Sequence, residues 1–202
     1  MELSLTQFVT LDGVYQAPGG PQEDPSGGFT HGGWSAPYGD ADFGAFMTEV
    51  FGKVDAFLLG RRTYEIFAGY WPKVTDPTDP IATTLNSLPK YVVSTHLDSA
   101  GWGPAEILRG DLVKEVTALK ESPGRELQVH GSGNLAQGLL AAGLIDTMHL
   151  LTFPVLLGTG KRLFTEDVQP TGFDLTDSRT TASGVVIATY RNAGAPKYGS
   201  LE

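Results

Sequence analysis

The sequence predicts an α/β fold: a mixed, mostly parallel sheet with helices on both faces, closed by a C-terminal antiparallel hairpin. Three observations carry this. Apolar strand-like runs alternate with helix-period segments through the first 145 or so residues. Residues 127–164 read without a break as strand, glycine turn, helix, strand and glycine loop. Beyond residue 145 strand-like segments follow one another with no helix between them, which calls for antiparallel pairing.

In chain order, Leu3, Leu5 and Phe8-Val9 make a first strand that ends in the turn Leu11-Asp12-Gly13. Residues 16–40 are rich in Gly, Pro, Asp and Ser with aromatic punctuation at Phe29, Trp34 and Tyr38. A loop of that length is either a lid or binding loop, or a surface insertion. Asp40 or Asp42 caps a helix whose apolar face is Phe43, Phe46, Met47 and Val50, at i, i+3, i+4, i+7. The apolar run 56–59 is a buried central strand. Gly60-Arg61-Arg62-Thr63 opens a short helix through Tyr64, Phe67 and Trp71 that Pro72 ends. Residues 73–88 read as a polar connector, 91–94 as a strand and 111–120 as a helix.

The stretch 127–164 is the most informative. A short strand, 127–130, is broken by Gly131-Ser132-Gly133; the helix 134–142 carries Leu135, Leu139 and Leu140, and Gly143 stops it. A glycine turn between strand and helix presents free backbone N–H groups where the helix dipole also favours an anion, which is chemistry for a phosphate or pyrophosphate. Purely structural strand–glycine–helix turns have the same pattern. A strand at 148–154 follows, then strands 173–181 and 185–191 joined by the Thr180 to Gly184 turn.

Composition bounds the function. A chain of 202 residues, 41% hydrophobic and 18% charged, has enough apolar content for one sizeable domain, set at residues 1–193 with a tail 194–202 read as partly vector-derived. A formal charge of −9 argues against nucleic acid and against an anionic membrane surface, so any phosphate site is local. There is no cysteine, which removes disulfides, thiolate catalysis, Cys-ligated zinc and the Pro-Cys-x-x-Cys motif of zinc nucleobase deaminases. His31, His130 and His149 make no metal-ligand spacing with an acidic pair, so no metal is expected. No apolar stretch approaches the ~20 residues of a membrane span. The N-terminus has neither a basic region nor a long apolar run, so a cytoplasmic location is expected.

Four stretches in order resemble the dihydrofolate reductase-like superfamily, and within it the reductase domain of riboflavin biosynthesis, the C-terminal part of the bacterial bifunctional deaminase-reductase. They are the first strand with Leu11-Asp12-Gly13, the segment Leu59-Gly60-Arg61-Arg62-Thr63-Tyr64-Glu65, Val92-Val93-Ser94, and residues 127–164 with Gly143-Leu144-Ile145-Asp146 and Pro154 through Gly160. The resemblance implies a three-layer fold and an NADPH-dependent reductase of a small flat heterocycle, pterin-like or aminopyrimidine-like, similar to 5-amino-6-(5-phosphoribosylamino)uracil reductase and dihydrofolate reductase. It implies cofactor contacts from Arg61, Arg62 and Thr63, with the two arginines toward a 2′-phosphate. Ser94, with Thr95 and His96, would meet the adenosine part, and Gly131, Ser132, Gly133, Asn134 and Leu135 the pyrophosphate and nicotinamide side. Many relatives have two adjacent glycines where this chain has Gly131-Ser132.

Hydride transfer to C=N or C=O needs a proton from an acid or an ordered water. Asp42-Phe43-Gly44-Ala45-Phe46 fits the Asp-apolar-x-x-Phe pattern of dihydrofolate reductases, where desolvation in an apolar pocket would raise the carboxyl pKa. Asp42 is otherwise only a helix cap, and Asp40 competes for either role. Asp12 is the second candidate acid, or else a turn-forming residue. His31 and Trp34 flank two glycines and either form a lid over the heterocycle or anchor the loop to the core. Lys161 and Arg162 either hold a substrate phosphate or cap their loop in solvent. The riboflavin branch commonly forms homodimers, to which the apolar segment 150–157 either contributes or is central sheet. The alternatives to a reductase are a non-catalytic nucleotide-binding or sensor protein, and a dimeric scaffold with a degenerate pocket.

Overall fold

The computed structural model describes residues 1–166 and 168–201; Glu202, in the expected tail, lies outside them. Eight strands form one sheet: β1 (Glu2–Thr10), β2 (Val54–Gly60), β3 (Lys90–Val93), β4 (Ala105–Leu108), β5 (Glu126–His130), β6 (Thr147–Phe153), β7 (Gly172–Thr180) and β8 (Val186–Gly194). Their order across the sheet is β4-β3-β2-β5-β1-β6-β8-β7. All neighbours are parallel except β6 with β8 and β8 with β7.

Alternation along the central strands divides the core between two faces. Phe57 and Leu59 of β2 point to one side, where they meet α1 (Ala41–Phe51), α2 (Arg61–Tyr70) and α3 (Pro80–Ser87) through Phe46, Phe51, Tyr64 and Leu85. Ala56 and Leu58 point to the other, onto α4 (Leu112–Glu121) and α5 (Gly133–Ala141) through Val116, Leu135, Leu139 and Leu140. The result is three layers, helices–sheet–helices. β7 is an edge strand exposed along most of its length, and two register shifts in its pairing with β8 and the charges of Asp174, Asp177 and Arg179 guard that edge.

Several elements depart from the expectation. The polar connector 73–88 contains α3, because Asp79 accepts from the amides of Ile81 (2.9 Å) and Ala82 (3.0 Å) and Pro80 sits in the first turn. The helix has only one short apolar face, Ala82 and Leu85. Replacing Asp79 with alanine is expected to cost about 1 kcal/mol of stability, read as a shifted denaturant midpoint with an unchanged slope. β4, a four-residue strand at the sheet's end, had no predicted counterpart. The cap of α1 is Asp40, which accepts from Phe43 N at 2.8 Å and from Ser183 N at 2.8 Å in the β7–β8 turn. Segment 150–157 is strand only to Phe153, and β6 runs inside the sheet between β1 and β8.

Under α1 lies a buried polar row. Register sets Thr6 of β1 between His130 of β5 and His149 of β6. His130 stacks on Phe51 at 4.5 Å and bonds Gln128 Oε1 through Nε2 at 2.9 Å; His149 bonds Thr189 Oγ1 through Nδ1 at 3.0 Å. Burial pushes His130 down to about 3 and His149 to about 4. Both rings are therefore neutral in the folded protein at neutral pH.

Candidate functional site

β2 and β5 are adjacent, yet the chain leaves them in opposite directions. After β2 it passes into α2 on one face, and after β5 into α5 on the other. The crevice between their carboxyl ends is thus a topological switch point, where open α/β sheets take ligands. Gly60 is the N-cap of α2 and Ser132 the N-cap of α5, and neither supplies a side-chain cap bond, so both first turns present amides to the crevice.

The two loops are joined. Ser132 Oγ accepts from Gly60 N at 2.8 Å, which requires Ser132 to adopt a left-handed backbone with φ 59° and ψ 63° directly after Gly131 at φ 72°. Ser132 is therefore a cross-tie, held in a conformation that costs a non-glycine residue roughly 1–2 kcal/mol. Thr63 faces Gly131 across the crevice.

Tyr15 covers the α5 side. Its segment is set by an antiparallel bridge, Val14 to Arg162, with Tyr15 N bonded to Lys161 O at 2.9 Å. The Tyr15 hydroxyl donates to Asn134 Oδ1 at 3.2 Å, and the ring fills the space beside Gly133 that a Cβ would need. Burial, followed by the Asp24 carboxylate, pushes the Tyr15 hydroxyl pKa up, while Arg62 pulls it down.

The four cations expected at phosphates are all engaged by carboxylates. Arg61, half exposed, pairs with Glu65 at 3.2 Å. Arg62 pairs with Asp24, and Lys161 reaches the same carboxylate at 2.7 Å. Arg162 pairs with Asp12 at 3.2 Å. Ser94 ends β3 with its hydroxyl accepting from His96 N (3.1 Å) and Leu97 N (3.0 Å), so it builds its own turn; Thr95 Oγ1 contacts His96 Nδ1 at 2.9 Å. Arg109, at the end of β4, donates to Leu97 O beside that turn.

Neither expected acid has the surroundings an acid needs. Asp12 accepts from Thr10 Oγ1 (2.6 Å), Gly158 N (2.9 Å) and Leu157 N (3.3 Å). The Thr10 bond, with those amides outweighing burial, holds its carboxyl down to about 2, so it is an ionised organiser of the glycine loop with no proton to give near neutrality. Asp42 is exposed and accepts from Ala182 N at 3.0 Å; the apolar pocket expected around it is absent. Trp34 is buried, its indole donates to Gln16 O at 2.8 Å, and it meets Phe153 edge-on at 5.2 Å. It is an anchor of the 16–40 loop. His31 is exposed, against the edge of Phe29 at 5.7 Å. Phe8, Trp34, Tyr38 and Phe43 surround the buried Phe153 ring, which makes this cluster core under the loop.

Tyr15, Gln16 and Asp24 were not anticipated. Each contacts residues more than a hundred positions away, and no local pattern marks them.

The family model described as the RibD C-terminal domain matches residues 2–187. Among curated proteins, the uncharacterized protein YyaP of Bacillus subtilis (strain 168) is 30% identical over 184 residues, covering 90% of each chain. Among solved structures, a candidate riboflavin biosynthesis protein from Shewanella sp. PV-4 superposes with TM-score 0.67 at 23% identity, over 95% of this chain and 99% of that one. A pyrimidine reductase-like protein from Corynebacterium diphtheriae gives TM-score 0.61 at 13% identity, over 95% and 91%. Dihydrofolate reductase from Enterococcus faecalis, complexed with NADP(H) and RAB-propyl, gives 0.59 at 14%, over 95% and 96%. The fold is dihydrofolate reductase-like. Among the described residues no helix is long and apolar enough to cross a membrane.

Proposed function

Because the chain belongs to the RibD C-terminal domain family, we propose that it is an NADPH-dependent reductase of a small flat heterocycle. One observation carries the reading: two uncapped helix N-termini converge on the switch-point crevice and are tied together by Ser132 Oγ and Gly60 N. That arrangement fits the pyrophosphate of a dinucleotide, since backbone amides from two directions and the Thr63 hydroxyl face one gap.

In this reading the cofactor, when bound, supplies the hydride. Gly131, Ser132, Gly133, Asn134 and Leu135 present the α5 amides, and Arg61 and Thr63 the α2 side. Arg61, whose carboxylate partner among the described residues is the exposed i,i+4 Glu65, is the guanidinium available to face a 2′-phosphate; Arg62 is committed to Asp24. Ser94 orders the turn beside the adenosine end. The Tyr15 ring offers a flat face over Gly133 and shields the crevice from water. With Asp12 ionised and Asp42 turned to the β7–β8 turn, the balancing proton comes from an ordered water. A homodimer belongs to the same proposal; β6 lies between β1 and β8 and so offers no free edge for strand addition, and light scattering decides the oligomeric state.

The test is the thermal midpoint against rising NADPH, with NADH as control. A ligand specific for the folded state stabilises by about 2.7 kcal/mol at a hundredfold excess over its dissociation constant. Wild type is expected to shift with NADPH far more than with NADH. Changing Arg61 and Thr63 together to alanine is expected to weaken NADPH by about 10–100-fold, the loss of charge-assisted hydrogen bonds of roughly 1.5–3 kcal/mol. Undiminished binding by that double variant would refute the site.

A second reading, a nucleotide-binding protein without turnover, is favoured by one observation: neither Asp12 nor Asp42 is placed as an acid. It predicts the same NADPH shift with no hydride transfer to pterins or aminopyrimidines.

A further inference from the structure

The cations beside the crevice are satisfied from within, and the manner of it bears on the substrate. Asp24, 7% exposed, lies in the 16–40 loop, and its carboxylate is surrounded by donors as a bound oxyanion would be. Lys161 Nζ donates to Oδ2 at 2.7 Å; Oδ1 accepts from Ser26 Oγ at 2.6 Å, from Ser26 N at 3.2 Å and from Arg62. Lys161 Nζ also reaches Ser26 Oγ at 2.8 Å.

Buried Gln16 fixes the two loops to each other. Its amide donates to Asp24 O and Ser26 O, both at 2.9 Å, while its oxygen accepts from Lys161 N at 3.1 Å. Burial alone would push the Asp24 carboxyl up; the bonds from Lys161, Ser26 and Arg62 overcome it and hold the group well below the usual carboxylate range. Glu23, next in sequence, accepts from the amides of Gly19 (2.6 Å) and Gly20 (3.1 Å), and its carboxyl is pushed up by burial and, to a smaller extent, by Asp24. On the other side of the glycine loop Arg162 is matched by Asp12.

We propose that the heterocycle this chain reduces carries no phosphate, because the anion position beside the Gly158-Thr159-Gly160 loop is filled by the chain's own Asp24 carboxylate. This rests on the reductase reading above. A phosphorylated substrate would have to expel a buried carboxylate from two cations, leaving a charge unpaired, or approach cations already neutralised in a chain of net charge −9. An unphosphorylated base or pterin-like ring meets neither obstacle. The Tyr15 ring beside Gly133 offers such a flat, uncharged ligand a surface to pack on.

The test uses ribose 5-phosphate as probe, by calorimetry on the full chain, with wild type, Lys161→Met, Asp24→Asn and the double variant. Wild type is expected to show no ribose 5-phosphate binding that depends on Lys161. Binding that persists unchanged in Lys161→Met sits at the helix N-termini and agrees with the proposal. Asp24→Asn is expected to gain at least tenfold in affinity, and the added Lys161→Met to abolish the gain. Wild-type binding that falls tenfold in Lys161→Met, or a folded Asp24→Asn with no gain, overturns the proposal. Should Asp24→Asn not fold, the wild type and Lys161→Met comparison decides alone. A second arm gives NADPH and one heterocycle with and without its phosphate. The unphosphorylated form should have the higher kcat/KM by at least tenfold, and the reverse ratio overturns the proposal. If no tested acceptor is reduced, the reductase reading falls, while the calorimetry still judges whether Asp24 fills the anion position.

Discussion

Alanine in place of Gly133 is expected to destabilise the protein by about 1–3 kcal/mol and to remove its response to NADPH. The obstacle is steric alone. Gly133 is buried and does not need a positive φ, but an added Cβ would overlap the Tyr15 ring. The backbone has little room to yield, because Gly131 and Ser132 are both left-handed and Ser132 Oγ is bonded to Gly60 N. Tyr15 must therefore leave, losing its bond to Asn134 and uncovering the first turn of α5. For a chain of this size each kcal/mol lowers the midpoint by about 2–4 °C. The diagnostic is a double-mutant cycle. Tyr15→Ala should recover much of the lost stability in the Gly133→Ala background while costing stability in wild type. Additive effects in the cycle would show that the ring and the glycine are not in contact.

Acid should unfold the protein through its histidines before its carboxylates are protonated. His130 and His149 are neutral when folded, at about 3 and about 4, against about 6.5 when exposed. The unfolded chain thus binds more protons as pH falls below 6.5. Stability is full above that value and drops by about 1.4 kcal/mol per pH unit for each histidine, down to its folded pKa. Two groups falling together over two units use up about 5 kcal/mol, comparable with the whole stability of many domains. Glu23 works the other way just above its ordinary 4.5, because burial pushes its carboxyl up, so the net slope lies between one and two protons. Asp12, at about 2, releases its contribution only below 3.8. His130→Gln keeps a donor for Gln128 and should roughly halve the slope of unfolding free energy against pH between 4 and 6. An unchanged slope would place the acid sensitivity elsewhere.

What could be read from sequence was whatever local periodicity and glycine punctuation encode. β1, β2 and the β5–α5–β6 unit fall where alternation and the Gly131 and Gly143 breaks put them. α3 escaped because two buried residues make no period, and its cap is an Asp-Pro pair inside a polar run. The choice between Asp40 and Asp42 needed the β7–β8 turn, whose amides take one carboxylate each. Trp34 had two readings that differ only in what lies beneath the indole, and Phe153 lies there. Tyr15 meets Asn134 across 119 positions, and Asp24 meets Lys161 across 137. Contacts of that separation leave no trace in a window of ten residues, and the second of them is what neutralises Lys161.

The bond between Ser132 and Gly60 also makes one amide proton a reporter of the crevice. Gly60 N–H belongs to the last residue of β2, yet its acceptor is a side chain on the opposite loop, outside the β-ladder. Its exchange with solvent deuterium is therefore governed by separation of the two loops, while its strand neighbours exchange only on opening of the sheet. A ligand that bridges α2 and α5 should slow that single proton and leave the protection of Leu58 and Leu59 unaltered, giving an occupancy signal that needs no chemistry to be known.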